Sequence, residues 1–196
     1  MASDALKDFI SGYSIEVVPN SAAKVESFAE TLPSNTRVYI AHLSEKEDIK
    51  TMVATAKRIN AEGFSVMPHI PARIIKDKNM LTEWLSMYQN EANVSEALLL
   101  AGGSSHPLGE FDSSMQLIET GEFDKLGFKR LHVAGHPEGS KDIDPDGGKK
   151  NTSSALSWKQ EFSKRTDATM AIATQFCFDA NTVTSWAENL KQDGID

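Results

Sequence analysis

The sequence has little of what secreted, membrane-spanning or nucleic-acid-binding proteins need. Its 196 residues include one cysteine, Cys177, which excludes an internal disulfide and suits a reducing compartment. No apolar run approaches the roughly 20 residues that cross a bilayer, and the N-terminal segment MASDALKDFISGY is too acidic and too discontinuous for a secretory signal. The formal net charge of −8 argues against nucleic acid as a partner. We therefore expect a soluble, cytoplasmic protein that contacts neither membranes nor nucleic acids.

Six short, nearly continuous apolar runs stand out in a composition that is otherwise ordinary, with 40% hydrophobic and 24% charged residues. Such runs are typical of strands that are buried on both faces of a parallel sheet. The length is enough for one substantial core, so residues 1–196 are treated as one domain. The runs are SIEVV (14–18), VYIAH (38–42), FSVMPHI (64–70), ALLLAGG (97–103), LHVAGHP (131–137) and MAIATQF (170–176).

Helical patterns lie between these runs. Ser44 and Glu47 form a capping-box pattern for a helix that continues to about residue 62 and is closed by Gly63. The polar, Gly/Pro-rich segment 136–154 predicts a mobile loop over the sheet edge rather than a linker. Further N-caps are predicted at Ser113, Ser153 and Asn181.

The alternation of strand and helix predicts an α/β protein with a parallel sheet. Successive strands begin 24 to 39 residues apart, which fits both an open doubly wound sheet and part of a (β/α)8 barrel. A whole barrel takes roughly 250 residues, whereas this chain ends after the sixth helix. The spacing alone does not choose between the two architectures.

Polar or glycine residues interrupt or end every one of the six runs. In both parallel architectures ligands bind at the carboxyl edge of the strands, because the βα loops converge there. A single polar residue at such a position is more often a satisfied strand end, but six of six indicates a functional edge. These residues are Glu16, His42, His69, Gly102 with Gly103, His136 with Glu138, and Gln175.

The residue types alone leave the chemistry open. Three histidines and two glutamates could bind zinc or iron, but no HxH or HExxH spacing is present. No GxSxG elbow occurs, and Cys177 has no base beside it. The loop AGGSSHPLG (101–109) is rich in glycine but is neither a GxGxxG motif nor a P-loop.

Five segments resemble, in order and spacing, the methylenetetrahydrofolate reductases. They are IEVVP (15–19), PHIPAR (68–73), LLLAGG (98–103), AGHPEG (134–139) and TQFCFD (174–179). The resemblance implies a (β/α)8 barrel of the TIM type that binds FAD at its carboxyl rim. About six βα units are present, so we expect a C-terminally incomplete domain. A homo-oligomer in which another chain completes the sheet is the alternative.

The resemblance also implies a reaction. Hydride passes from NAD(P)H to FAD and then to 5,10-methylenetetrahydrofolate, giving 5-methyltetrahydrofolate for one-carbon and methionine metabolism. The methylene bridge must open to an iminium ion first, which requires a positioned acid. The first-strand glutamate of the family matches Glu16, and burial among Ile15, Val17 and Val18 would favour its protonated form.

Other site residues follow from the same matches. Gln175 corresponds to the family's glutamine that hydrogen-bonds the pterin, and Phe178 to the aromatic residue that packs against the folate. Lys159 is matched to a basic residue that holds the flavin pyrophosphate. The remaining flavin-binding positions are Ala41, His42, His69, Ala101, Gly102, Gly103 and His136; no metal site is predicted.

Two departures from the family pattern keep alternatives open. Ala101-Gly102-Gly103 replaces Arg-Gly-Asp, whose aspartate helps to position the folate, and Ser140 replaces a histidine. A flavin- or folate-binding homologue without catalysis is therefore the first alternative. A metal-dependent barrel hydrolase that uses His42, His69 and His136 is the second.

Overall fold

A computed structural model describes residues 4–195 as an α/β fold. The six strands are β1 (Ser14–Val17), β2 (Arg37–Ile40), β3 (Ser65–Pro71), β4 (Glu96–Leu100), β5 (Arg130–Gly135) and β6 (Thr169–Thr174). The helices are α1 (Asp4–Ile10), α2 (Pro19–Ala22), α3 (Ile49–Ala61), α4 (Lys78–Ala92), α5 (Ser114–Glu119), α6 (Glu122–Lys125), α7 (Lys150–Ser163) and α8 (Ala180–Gln192), and a 3-10 turn covers Ala72–Ile74. All six predicted strands are present, and each begins within one residue of its predicted start.

The strand order decides between the two architectures that the sequence left open. Every strand pairs in parallel with the next one along the chain, in the order β1-β2-β3-β4-β5-β6. A doubly wound sheet reverses its order at a switch point, and this sheet does not. The result is a curled, six-stranded half-barrel that resembles part of a TIM barrel.

Alternation along the strands separates two faces of the sheet. One set of alternate side chains packs with the helices into a single apolar core, which includes Val38, Ile40 and Leu99 together with Tyr88 of α4. The residues between them face the other, concave side of the sheet, where polar side chains lie among apolar ones. The predicted site residues Glu16 and His69 lie on this concave face.

The helix ends correct three of the predicted caps. α3 is capped by Asp48, whose carboxylate accepts the Lys50 N–H at 3.1 Å, while Glu47 accepts the Leu43 N–H at 2.7 Å within the preceding loop. The predicted Ser44 cap is therefore wrong. The helix begins at Ile49, and Asp48, the residue directly before it, provides the capping acceptor. Gly63 does close α3, with φ of +93°.

Of the other three predicted N-caps, one is confirmed and two are wrong. Ser113 precedes α5 as predicted, and its N–H donates to Gln116 Oε1 at 3.0 Å. Asn181 is not a cap, because the Asp179 carboxylate accepts the N–H groups of Asn181 and Thr182. Ser153 is not one either, since α7 already begins at Lys150.

The loop between β5 and α7 is held by a buried carboxylate. Asp144 is 2% exposed and accepts hydrogen bonds from Asn151 N at 2.8 Å, Thr152 N at 3.0 Å and Thr152 Oγ1 at 3.0 Å. Burial alone raises the pKa of Asp144, but these hydrogen bonds outweigh burial and lower it below its ordinary value of 3.8. Asp144 thus satisfies two N–H groups in the first turn of α7, which lie seven and eight residues further along the chain. Within the described part of the chain, no helix is both long and apolar enough to cross a membrane.

We predict that Asp144→Asn lowers the midpoint of thermal unfolding by a few degrees, because the helix loses one acceptor oxygen and a favourable charge at its N-terminus. The lowered pKa means that the stabilising charge is present above about pH 3.8 and is lost as the pH falls through the lower folded value. The gap between wild type and variant should therefore close in acid. Asp146→Asn, which alters an exposed carboxylate that accepts one hydrogen bond from Gly148 N, is the control. Equal midpoints for wild type and Asp144→Asn at pH 7 would contradict this role.

Candidate functional site

The concave face brings together two of the predicted residues, Glu16 and His69. Glu16 Oε2 lies 3.1 Å from His69 Nε2, although the two atoms are not aligned as a hydrogen bond. Burial, with a smaller contribution from the nearby charge of His42, lowers the pKa of His69 to about 4. His69 is therefore neutral at pH 7. The pair consists of a carboxyl group beside a neutral imidazole rather than of two opposite charges.

The expectation that Glu16 is buried among its apolar neighbours is wrong. Its side chain is 58% exposed, whereas that of His69 is 11% exposed. Ile15 and Val17 pack against the core, so alternation turns Glu16 to the concave side. β1 is also an edge strand, which leaves no neighbour to cover this side chain.

A second polar pair, Tyr39 with His132, lies beside the first. Tyr39 is the register partner of Glu16, and its hydroxyl lies 2.7 Å from His132 Nδ1. Burial and then the charges of Arg37 and Arg130 lower the pKa of His132 to about 4, and burial raises the pKa of Tyr39. The Tyr39 hydroxyl is therefore hydrogen-bonded to a neutral imidazole, and His132 Nε2 is buried without a hydrogen-bond partner among residues 4–195.

An ion network crosses the concave face next to this pair. Glu96 Oε2 lies 3.0 Å from Arg37 Nε, and Glu96 Oε1 lies 3.8 Å from Arg130 Nε. All three side chains are half-buried. Sequence reasoning missed both this network and the Tyr39–His132 pair, because it searched strand ends rather than strand interiors. The available signal was polar residues at alternate positions within β2 and β5.

His42 does not share the concave face with His69. Its ring is buried and stacks on Trp84 of α4, with 5.0 Å between ring centroids and 20° between planes. Burial lowers its pKa against the opposing charge of Glu47, and neither ring nitrogen has an aligned hydrogen-bond partner in the described residues. Ala41 takes the concave-side position and donates its N–H to Val17 O at 2.9 Å.

The loop after β4 contains the three predicted residues Ala101, Gly102 and Gly103. Gly102 has φ of +99°, and a Cβ there would lie 2.9 Å from Pro71 Cβ, so both conformation and space favour glycine. Ala101 O accepts the Arg73 N–H at 2.9 Å. This loop therefore contacts the end of β3 directly.

A buried arginine that the sequence reasoning gave no role joins the loops after β3, β4 and β5. Arg73 Nε donates to Asp112 Oδ1 at 2.8 Å, and Nη1 donates to Asp142 Oδ2 at 2.8 Å and to Ser104 O at 3.0 Å. Its side chain is 11% exposed. We call this set of contacts the Arg73 clamp. Arg73 lies within the quoted segment PHIPAR, so the residue was visible but its distant partners were not.

The carboxyl ends of β5 and β6 are joined by Glu138. Its Oε1 accepts hydrogen bonds from Phe178 N at 2.7 Å and Asp179 N at 2.9 Å. Gln175 donates its backbone N–H to Gly135 O at 2.8 Å, and its side chain is exposed with no hydrogen bond to residues 4–195. Phe178 is 87% exposed and contacts the Phe176 ring edge-on at 4.9 Å. A free amide and an aromatic pair thus lie together at this end of the sheet.

His136 and Lys159 complete the predicted set. His136, just after β5, is half-buried, and burial followed by the charge of Lys159 lowers its pKa. Lys159 itself is buried on α7 and lines a cavity against the outer side of β5 and β6. It therefore lies on the helix side of the sheet, whereas Glu16 and His69 lie on the concave side.

The metal-site alternative requires three histidines to converge, and they do not. His42 faces α4, while His69 lies on the opposite side of the sheet beside Glu16. No group of three or more His, Cys, Asp or Glu side chains between residues 4 and 195 could hold a metal ion. No protein-family model matches the chain. The fold and the site define an α/β half-barrel whose concave face contains the polar residues Glu16, His69, Tyr39 and His132.

We predict that Arg73→Lys speeds amide exchange at Leu108 and Asp144 about fivefold, because one ammonium cannot hold three loops in place of the guanidinium fork. This corresponds to about 1 kcal/mol for a clamp whose two carboxylates are half-exposed. Hydrogen exchange followed by mass spectrometry measures it. Lys141→Met, a change in the same loop at a residue without a hydrogen bond or ion pair to the described residues, is the control. Unchanged protection in Arg73→Lys would mean that the loops hold without the clamp.

Proposed function

We propose that the protein is a flavin-dependent reductase that converts 5,10-methylenetetrahydrofolate to 5-methyltetrahydrofolate with NAD(P)H. The observation that carries this proposal is the Glu16–His69 pair. A solvent-accessible carboxyl group lies 3.1 Å from a buried, neutral imidazole on the concave side of a parallel half-barrel. In TIM barrels the carboxyl side of the strands is where ligands bind.

Glu16 is suited to supply the proton that opens the methylene bridge. Its exposure lets it exchange protons with water before substrate arrives. A bound pterin would then displace that water, and desolvation favours the protonated form of a carboxyl group. The neutral ring of His69 neither repels a proton on Glu16 nor stabilises its loss through a full charge. The acid is therefore formed by burial on substrate binding rather than by burial in the free protein.

The concave face also fits a flat, hydrogen-bonding ring such as the isoalloxazine of FAD. His69 Nε2 and His132 Nε2 are buried nitrogens without an aligned partner in residues 4–195, and orphaned groups of this kind are costly unless a ligand satisfies them. FAD, when bound, supplies the hydride carrier between NAD(P)H and folate. Ala41, His69, Gly102 and His136 would hold the ring; binding of the pyrophosphate by Lys159 stays a prediction.

Gln175 and Phe178 are suited to bind the folate. A side-chain amide both donates and accepts, which matches the edge of a pterin that has both kinds of group. Gln175 has its amide free of internal hydrogen bonds, and Phe178 offers an exposed face. Glu138 fixes the backbone between them and α8 through two hydrogen bonds. The segment 175–178 thus has the chemistry that the folate role needs.

A flavin- or folate-binding homologue without catalysis is the second candidate. The observation in its favour is the loop Ala101-Gly102-Gly103, which brings no carboxylate to this end of the sheet. A binding protein and an enzyme differ in whether the bound flavin can be reduced and reoxidised by substrate.

We predict that the protein binds FAD, that NAD(P)H bleaches the visible flavin absorbance, and that methylenetetrahydrofolate restores it. Glu16→Gln should bind FAD and be bleached at the wild-type rate, because an amide keeps the shape of the side chain. It should fail to reoxidise with methylenetetrahydrofolate, because an amide cannot donate the proton. Stopped-flow absorbance measures each half-reaction separately.

The control for this variant is Glu26→Gln, which changes an exposed carboxyl group in the segment between α2 and β2 and should reoxidise normally. Loss of FAD binding in Glu16→Gln would show that Glu16 is structural. Bleaching without reoxidation in the wild type would favour the second candidate. A wild type that binds no FAD would overturn the proposal.

We predict that Gln175→Leu weakens folate binding by about tenfold to a hundredfold, because buried pterin hydrogen bonds lose their partner. FAD affinity should stay unchanged, since the amide is assigned to the folate alone. Calorimetric titration with folate and with FAD measures the two affinities, and Gln192→Leu at the exposed end of α8 is the control. Equal folate affinity in wild type and Gln175→Leu would remove this residue from the site.

A further inference from the structure

The cavity lined by Lys159 lies on the helix side of the sheet, away from the concave face. It has a volume of about 300 Å3 and lies between α7 and the outer side of β5 and β6. Ligand pockets in proteins occupy roughly 300–1,000 Å3, so this cavity suits a small molecule. Its lining residues are Val133, Leu156, Lys159, Gln160, Ser163, Ala168, Thr169, Met170, Ala171, Ile172 and Ile195.

Lys159 is the one ionisable side chain in this lining. It is 8% exposed and forms no hydrogen bond or ion pair with the described part of the chain. Burial lowers its pKa from 10.5 to about 8, so the amine still carries its proton for most molecules at pH 7. A buried ammonium without a partner costs free energy that an anion placed beside it would offset.

We propose that this cavity binds a small carboxylate with a short apolar chain, whose carboxylate pairs with the Lys159 ammonium. Val133, Met170 and Ile172 provide an apolar wall for the chain. The side-chain amide of Gln160 provides a hydrogen-bond donor for the second carboxylate oxygen. No aspartate or glutamate lines the cavity among residues 4–195.

The positive charge on Lys159 favours a carboxylate over a neutral ligand. Pairing raises the proton affinity of the amine, so binding above about pH 8 must take up a proton. Affinity should therefore fall as the pH rises past 8. His136 is the titratable neighbour that interacts with Lys159, and its lowered pKa leaves it uncharged throughout that range.

The test is calorimetric titration of the protein, without added flavin, with hexanoate and with hexanol. Hexanoate should bind and hexanol should bind at least about thirtyfold more weakly, because the alcohol leaves the ammonium unpaired. Hexanoate affinity should drop between pH 8 and pH 10. Lys159→Met should abolish hexanoate binding without lowering the midpoint of thermal unfolding, since it removes an unpaired buried charge. Lys150→Met, on the exposed side of α7, should bind hexanoate as the wild type does.

Two results would overturn the proposal. Equal affinity for hexanoate and hexanol, or no binding of either, would show that the ammonium does not select an anion. Binding of ADP by the wild type that is lost in Lys159→Met, with no effect of hexanoate, would assign Lys159 to a pyrophosphate instead. The titration needs no flavin and no folate, so failure of the reductase proposal leaves its outcome unchanged.

Discussion

The two-residue alternation of side chains along parallel strands is the constraint on which the rest of the structure depends. It directs Val38, Ile40 and Leu99 into one apolar core with the helices and leaves the residues between them on the concave face. In a closed barrel those inner residues would have to fill a sealed interior. Within residues 4–195 the sheet is curled and open at β1 and β6, and Glu16 on the concave side of β1 is 58% exposed. The same alternation explains why a functional face can lie within strands that read as almost continuously apolar.

The loops at the carboxyl end depend on a different kind of interaction, a charged side chain that satisfies several backbone or side-chain groups at once. Arg73 joins three loops, Glu138 joins the ends of β5 and β6, and Asp144 holds the first turn of α7. Each of these groups replaces water for donors or acceptors that the chain itself leaves unpaired. The loops that form the candidate site are therefore held to the sheet, even though few apolar residues lie within them.

The strands were predicted well because a short apolar run is enough to indicate each of them. All six observed strands begin within one residue of the start of the corresponding run. The spacing of the runs did not predict the strand order, since both candidate architectures share that local pattern and differ only in long-range pairing; only the resemblance favoured the barrel. The predicted N-cap was wrong where two nearby polar residues could both cap the helix. For α3 the cap is Asp48 and not Ser44. His42 was predicted to lie with His69 at the strand ends, but the two lie on opposite sides of the sheet. When the β2–β3 register is continued by one residue, His69 lies beside Ala41, one residue before His42, and a shift of one residue moves a side chain to the other face.

The parts of the candidate site that the sequence could not reveal are contacts between residues far apart in the chain. Tyr39 and His132 are 93 positions apart, and the partners of Arg73 lie 39 and 69 positions away. No local pattern records such pairs, because each partner alone reads as an ordinary polar residue. Glu16 was found from the sequence, but its exposure was not, since exposure depends on β1 being an edge strand.

The electrostatics of the concave face follow from which groups burial has neutralised. His69 and His132 both have their pKa lowered to about 4, so neither carries charge at pH 7. Arg37 and Arg130 face a single carboxylate, Glu96, which leaves one unmatched positive charge in the half-buried network. Glu16 is a second carboxyl group on this face and lies beside the neutral ring of His69. The unmatched arginine charge would therefore attract a negatively charged group of a ligand bound beside β2 and β5.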